Sequence, residues 1–140
     1  MLNKNYNVLV TGSKGFIGKN LLKKLDNLQN INILEFNRNN TEIYLEECIS
    51  KSDFIIHLAG EVRPNSSENE FKNSNVLLIL EKQNKIIPIL LASSIHAQWV
   101  WQNKKRIRII NRKNCFIYRL PHVFGEECKP NYNSVISTII

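Results

Sequence analysis

A chain of 140 residues with 43% apolar and 22% charged residues describes one globular domain, large enough to bury a core. It holds no run near the roughly 20 apolar residues of a membrane span, too short an N-terminal apolar stretch for a signal peptide, and three cysteines without a CxxC pair, so membrane, secreted disulfide-framework and zinc classes are set aside and a cytoplasmic protein is expected. The net charge of +7 comes from one segment: nine Lys or Arg and no acid lie between Lys82 and Gly125, against ten basic and twelve acidic residues elsewhere.

In chain order, Asn7–Val10 is a short apolar run ending in Thr11-Gly12, a buried-strand pattern. Residues 18–28 carry Leu21, Leu22, Leu25 and Leu28 at helical spacing, with lysines on the opposite face. Ile31–Phe36 reads as a second strand, closed by the polar turn NRNNT. Thr41 is a candidate N-cap for a helix over 41–50, with Glu42 placed to suit the helix dipole. Asp53–Leu58 is a third strand, residues 69–83 a helix, Ile86–Ala92 a strand opened around Pro88, and Cys115–Arg119 another strand. Strands that are apolar throughout and alternate with helices predict an α/β fold: a doubly wound parallel sheet with helices on both faces. The chain stops inside an apolar run, NSVISTII, without a capping signal, which predicts a fold incomplete at its C-terminus.

The turn between the first strand and the first helix reads Gly12-Ser13-Lys14-Gly15-Phe16-Ile17-Gly18. In a GxxGxxG loop, Gly12 permits the tight turn, Gly15 lets the backbone approach a pyrophosphate, and Gly18 allows close packing of the helix. The phosphates would rest on the N–H groups of the helix N-terminus. The strand–turn–helix context is the one this pattern requires for dinucleotide binding. At the end of the second strand, where an acid would bind the ribose 2′-OH of NAD, the chain has Asn37 followed by Arg38. An arginine there pairs with the 2′-phosphate of NADP, so NADP is expected, with NAD the alternative if Arg38 is only a solvated turn residue. His57 and His96 lack a carboxylate at ligand spacing and read as structural rather than metal-binding.

With TGSKGFIG, HLAG, LLASS and YRLPHVFG in this order, the chain resembles the extended short-chain dehydrogenase/reductase family. More narrowly, HLAGEVRP, the Ser93–Ala97 stretch and FGEECKPNYNSVIST are similar to the bacterial NADPH-dependent nucleotide-sugar reductases of capsule and O-antigen synthesis. These reduce a UDP-2-acetamido-2,6-dideoxy-4-hexulose at C4. The resemblance implies that residues 1–140 form a truncated N-terminal NAD(P)-binding Rossmann domain without the C-terminal substrate-binding part. It implies that Gly12, Gly15, Phe16, Ile17 and Gly18 hold the pyrophosphate and that Arg38 holds the 2′-phosphate. Leu58, Ala59 and Gly60 pass under the adenine–ribose side, and Leu120, Pro121 and His122 line the nicotinamide end. Ser94 is the implied catalytic serine, bonding the substrate carbonyl, and Arg63, Lys129 and Asn133 are implied substrate contacts. Members of the family usually form homodimers through the helices flanking the catalytic segment.

The family's chemistry also needs Tyr-x-x-x-Lys shortly after the serine, one helical turn apart so that both side chains share a face. The tyrosine exchanges the proton, and the lysine lowers its pKa. No tyrosine lies between Ser94 and Cys115. The place is taken by WVWQNKKRIRIINRKN, which holds both tryptophans of the chain and no acid. Trp-Val-Trp-Gln-Asn-Lys must be encoded TGG-GTN-TGG-CAR-AAY-AAR. Read one base later this gives Gly-(Tyr/Phe/Ser/Cys)-Gly-(Lys/Arg)-(Thr/Ile)-(Lys/Arg), and Gly-Tyr-Gly-Lys-Thr-Lys is among the options. A local frameshift, entered after Ala97 and left by Lys113, accounts together for the lost pair, the clustered tryptophans and the missing acids.

The expected function is therefore NADPH-dependent reduction of a nucleotide-sugar 4-ketone, with no activity from the chain as written. A UDP-sugar 4-epimerase or dehydratase of the same fold, or a non-catalytic NADP-binding remnant, are the alternatives. Basic residues interleaved with aromatics over Trp99–Arg112 are also the pattern of a single-strand nucleic-acid grip, a reading set below the others.

Overall fold

The computed structural model describes residues 4–59, 76–94, 114–121, 123–125 and 128. They form β1 (Tyr6–Thr11), α1 (Phe16–Leu25), β2 (Ile31–Phe36), α2 (Glu42–Lys51), β3 (Phe54–His57), α3 (Val76–Lys82), β4 (Ile89–Ser94) and β5 (Cys115–Leu120). The strands make one five-stranded sheet in the order β2-β1-β3-β4-β5, with every neighbouring pair parallel. The chain runs outward from β1 to β2, then returns past β1 to β3 and continues the other way. The strand order thus reverses between β1 and β3, which is where an open α/β sheet leaves a crevice at its carboxyl edge.

Register sets the core. Leu9 lies beside Ile55 and Ile55 beside Ile89, and all three are buried. Against that face pack Leu45, Cys48 and Ile49 of α2 and Val76, Ile79 and Leu80 of α3, in both helices at i, i+3, i+4. Each fully buried Leu or Ile contributes roughly 1.5–3 kcal/mol from removal of apolar surface. The two helices are also stitched by polar groups. Lys82 Nζ sits 2.9 Å from Glu46 Oε1, and Lys85 Nζ donates to Ile49 O at 2.7 Å at the end of α2. On the opposite face α1 runs along β2, the two enclosing a groove of about 380 Å³ lined by Leu22, Leu25, Leu28, Ile31 and Ile33 with Asp26 and Glu35.

Element boundaries differ from expectation for local reasons. The first helix starts at Phe16 and ends at Leu25, not Leu28. Asn27 N–H and Leu28 N–H turn back tightly onto Lys24 O and Leu25 O, and Asn30 takes φ 69°, which reverses the chain into β2. Thr41 caps α2, its Oγ1 accepting from Tyr44 N–H at 3.3 Å. The helix expected over 69–83 is described from Val76. It closes with Asn84 at φ 48° and Lys85 N–H donating to Leu80 O at 3.0 Å, a left-handed C-terminal cap. The following strand begins at Ile89, later than expected, with Pro88 O accepting from Ile55 N–H at 3.0 Å. None of the three cysteines, all among the described residues, is in a disulfide. No helix among the described residues is long and apolar enough to cross a membrane.

Candidate functional site

A parallel sheet puts all its carboxyl ends on one edge, and the predicted site residues among those described gather there. Gly12 follows β1, Arg38 follows β2 by two residues, and Leu58-Ala59 follows β3. Ser94 is the last residue of β4 and lies in register with Leu120, the last of β5, with Pro121 next. Gly60, His122, Arg63, Lys129 and Asn133 lie outside the described residues, as do His96 and the stretch Trp99–Arg112. The side chain of Ser94 is likewise outside them.

The glycine loop is fixed from both sides. Gly12 N–H donates to Phe36 O at 2.8 Å, tying the loop to the end of β2, while Leu58 N–H donates to Thr11 O at 3.1 Å, tying it to the end of β3. Gly12 has φ +74°, a left-handed conformation that favours glycine. A Cβ there would lie 2.8 Å from Ala59 N and 3.0 Å from Leu58 C, so the loop rests on the bare backbone of Leu58-Ala59. Gly18, one turn into α1, is buried against the loop itself. A Cβ there would overlap Gly12 O and lie 2.7 Å from Ser13 O. Gly15 is different. Its φ is −73° and an added Cβ would meet only Gly12 O, at 3.2 Å. Gly12 thus serves the turn and Gly18 the packing, and the packing partner of Gly18 is the loop backbone at the end of β1.

Gly15 is the N-cap of α1, with no side chain capping the helix and no acid in its first turn, while Lys23 and Lys24 occupy the last turn. The positive end of the helix dipole therefore faces the crevice without a carboxylate of its own to neutralise it. Phe16 and Ile17 begin the helix there. The chain after β5 returns to this place, since a methyl added at Gly125 would sit 3.8 Å from Phe16 Cζ. On the other side, Arg38 is exposed in a turn built by asparagines. Asn37 N–H donates to Asn40 Oδ1 at 2.8 Å and Asn39 N–H to Asn37 Oδ1 at 3.1 Å.

One arrangement at this edge escaped the sequence reading. Thr11 and His57 end β1 and β3, face each other in register, and are both buried, with Thr11 Oγ1 2.7 Å from His57 Nδ1. Ala59 N–H donates to the same hydroxyl at 3.3 Å. The signal available was two polar residues closing strands that are otherwise apolar.

A doubly wound parallel sheet, a glycine loop at its strand-order reversal and an uncapped helix N-terminus define a Rossmann-like dinucleotide-fold protein. No protein-family model matches the chain. It is 36% identical, over 147 residues, to the UDP-2-acetamido-2,6-beta-L-arabino-hexul-4-ose reductase of Pseudomonas aeruginosa, covering 94% of this chain and 39% of that protein. Among solved structures it is similar to the capsular polysaccharide assembling protein CapF of Staphylococcus aureus, at 40% identity and a TM-score of 0.73, covering 94% of this chain and 38% of that one. The UDP-N-acetylglucosamine 4-epimerase of Bacillus cereus, at 22% identity and a TM-score of 0.65 over 91% of this chain and 57% of its own, shares the fold. The chain belongs to the extended short-chain dehydrogenase/reductase family, and spans 39% of the length of the curated relative it matches.

Proposed function

We propose that the chain is the cofactor-binding part of an NADPH-dependent nucleotide-sugar reductase of the cytoplasm, acting in its family on the 4-keto group of a UDP-2-acetamido-2,6-dideoxy-hexulose in capsule or O-antigen synthesis. We propose further that it binds the cofactor without turning it over. The observation that carries this reading is the glycine loop seated on the Leu58-Ala59 backbone at the reversal of strand order.

The residues fit a dinucleotide. Gly15 leaves the loop open to a pyrophosphate, the N-terminus of α1 offers N–H donors and a positive dipole end, and no acid stands in that first turn to repel an anion. Arg38, exposed past the end of β2, would pair with a 2′-phosphate, which favours NADP over NAD. NADPH, when bound, supplies the hydride. Ser94 would donate to the keto oxygen of the sugar, and Leu120, Pro121 and His122 would border the nicotinamide.

As hydride reaches C4, the keto oxygen must take a proton. The group that gives it in this family is the tyrosine of Tyr-x-x-x-Lys, and no tyrosine lies between Ser94 and Cys115. A missing general acid alone slows such a step by about 10²–10⁴-fold. The match to the reductase spans 147 aligned residues against the 140 of this chain, so the relative has residues within the match that this chain lacks.

The test is NADPH binding by fluorescence, and NADPH consumption with a UDP-4-keto sugar. Binding without turnover is expected. Turnover overturns the loss of catalysis, and absence of binding overturns the cofactor assignment.

A further inference from the structure

We infer that Asn37 and Asn40 are positioning residues for a 2′-phosphate. Their side chains lock the turn whose corner is Arg38, so the preference for NADP over NAD depends on residues that act through the arginine. The inference rests on the NADP reading above and deepens it.

The chain after β2 reads Asn37-Arg38-Asn39-Asn40. Asparagine suits turns for two reasons: it tolerates left-handed backbone, and its side chain bonds nearby main-chain groups. The first reason does not apply here. Asn30 and Asn84 have positive φ, whereas Asn37, Asn39 and Asn40 do not. The second reason does apply. Asn39 N–H donates to Asn37 Oδ1 at 3.1 Å, and Asn37 N–H donates to Asn40 Oδ1 at 2.8 Å. Asn40 N–H closes the turn on Asn37 O at 3.1 Å. Arg38 occupies the first corner of this closed unit, directly after the residue on which the side-chain bonds converge.

Both ends of the turn are anchored. Phe36 lies in register with Thr11, and its carbonyl accepts from Gly12 N–H at 2.8 Å, so the turn leaves the sheet beside the glycine loop. At the other end Thr41 caps α2, and Leu45 N–H donates to Thr41 O at 3.2 Å, with Leu45 itself in the core. Arg38 is exposed, and among the described residues no carboxylate pairs with its guanidinium. A phosphate that engages it must order a long, flexible side chain, which opposes binding. A loose backbone beneath it would add the ordering of each turn residue to that cost. The asparagine bonds remove the backbone part before the ligand arrives. Asn37 also stands where an acid would meet a ribose hydroxyl. Its oxygen is committed to Asn39 N–H, so it shapes the turn without setting a negative charge beside the phosphate.

The experiment measures dissociation constants for NADPH and NADH on the wild type, Asn37→Ala, Asn40→Ala and Asn37→Ser. The serine hydroxyl can accept from the N–H two residues on, more weakly than asparagine. Asn40→Ala is also made in an Arg38→Ala chain, and amide exchange of residues 37–41 is followed throughout. Asn37→Ala and Asn40→Ala are expected to weaken NADPH about threefold to tenfold, to leave NADH within about twofold, and to speed exchange in the turn. Asn37→Ser is expected to recover part of the loss. In the Arg38→Ala chain, Asn40→Ala is expected to leave the ratio of the two constants unchanged, because it acts through the arginine. If one alanine variant does not fold, the other carries the comparison. Equal weakening of NADPH and NADH overturns the inference, since it marks the turn as support for the fold and not for Arg38. Unchanged NADPH affinity in either folded alanine variant overturns it too, as does a further loss of preference in the Arg38→Ala chain. A wild type that binds NADH as tightly as NADPH, or binds neither, overturns the NADP reading and the inference together.

Discussion

Gly18→Ala is the sharpest test of the packing logic. The helix interior would ordinarily welcome the change, since alanine is better than glycine there by about 1 kcal/mol. Here the added methyl would overlap Gly12 O and come within 2.7 Å of Ser13 O and 2.9 Å of Ser13 C. All three are backbone atoms, so no side chain can swing away. Either α1 shifts off the loop or the loop shifts off Leu58-Ala59. Overpacking of this kind costs roughly 1–3 kcal/mol, occasionally more. At the upper end the net loss is about 2 kcal/mol after the propensity gain, a fall of roughly 6–10 °C in melting temperature for a chain of this size. NADPH affinity should drop at least tenfold, because the displaced atoms belong to the pyrophosphate loop. Gly15→Ala is the control: with φ −73° and a single contact at 3.2 Å it should melt within about 2 °C of wild type. If it nevertheless loses NADPH affinity, the loss reports the approach of the ligand rather than packing. A Gly18→Ala protein with unaltered melting temperature and NADPH affinity would refute the argument.

Arg38→Ala should weaken NADPH by about tenfold and leave NADH unchanged, because a charge-assisted bond to the 2′-phosphate at an exposed site lies at the lower end of its range. Equal losses for both cofactors would mean that Arg38 supports the turn and not the phosphate. Cys48 is buried at 3% exposure and burial pushes its thiol pKa up, so little thiolate forms at neutral pH. It should resist alkylation in native protein and react only as the chain unfolds in denaturant. Labelling of Cys48 as fast as Cys128 would contradict its place in the core. For the gene, the frameshift reading makes a one-base prediction: the codon of Val100 is GTA, since only that choice yields tyrosine in the shifted frame. Sequencing the transcript checks it, and GTT, GTC or GTG removes the hidden Tyr-x-x-x-Lys.

How far the sequence could be read follows the range of the interactions. Strands β1 and β3 were legible because burial on both faces makes a strand apolar throughout, and Leu9, Val10 and Ile55 are indeed fully buried. The glycine loop was legible because each glycine answers a local need of the backbone. Helix ends were less so. The stop of α1 at Leu25 is made by the turn through Asn30, while Leu28, on helical spacing in the sequence, is half exposed beside β2. The last strand was found, but its faces were not. Phe116 and Tyr118 look like core residues and are 53% and 58% exposed, because β5 ends the sheet among the described residues. The Thr11–His57 link could not be read at all, since it joins residues 46 apart through a register that only the folded sheet defines.

That same distribution of contacts bears on the proposed separation of cofactor binding from catalysis. Among the described residues, the bonds that place the glycine loop come from Phe36, His57, Leu58 and Ala59, and its packing from Gly18. All lie before residue 60, and the core beneath them is closed by α2, β3 and α3. None of these contacts draws on the stretch Trp99–Arg112, where the family would place its tyrosine and lysine. On the proposed reading, a disturbance confined to that stretch would remove the proton donor and leave these described supports of the crevice in place. The fold therefore predicts an ordered loss, chemistry first and cofactor affinity second. Substitution at Gly18 should do the reverse, weakening the cofactor through the loop against which that residue packs.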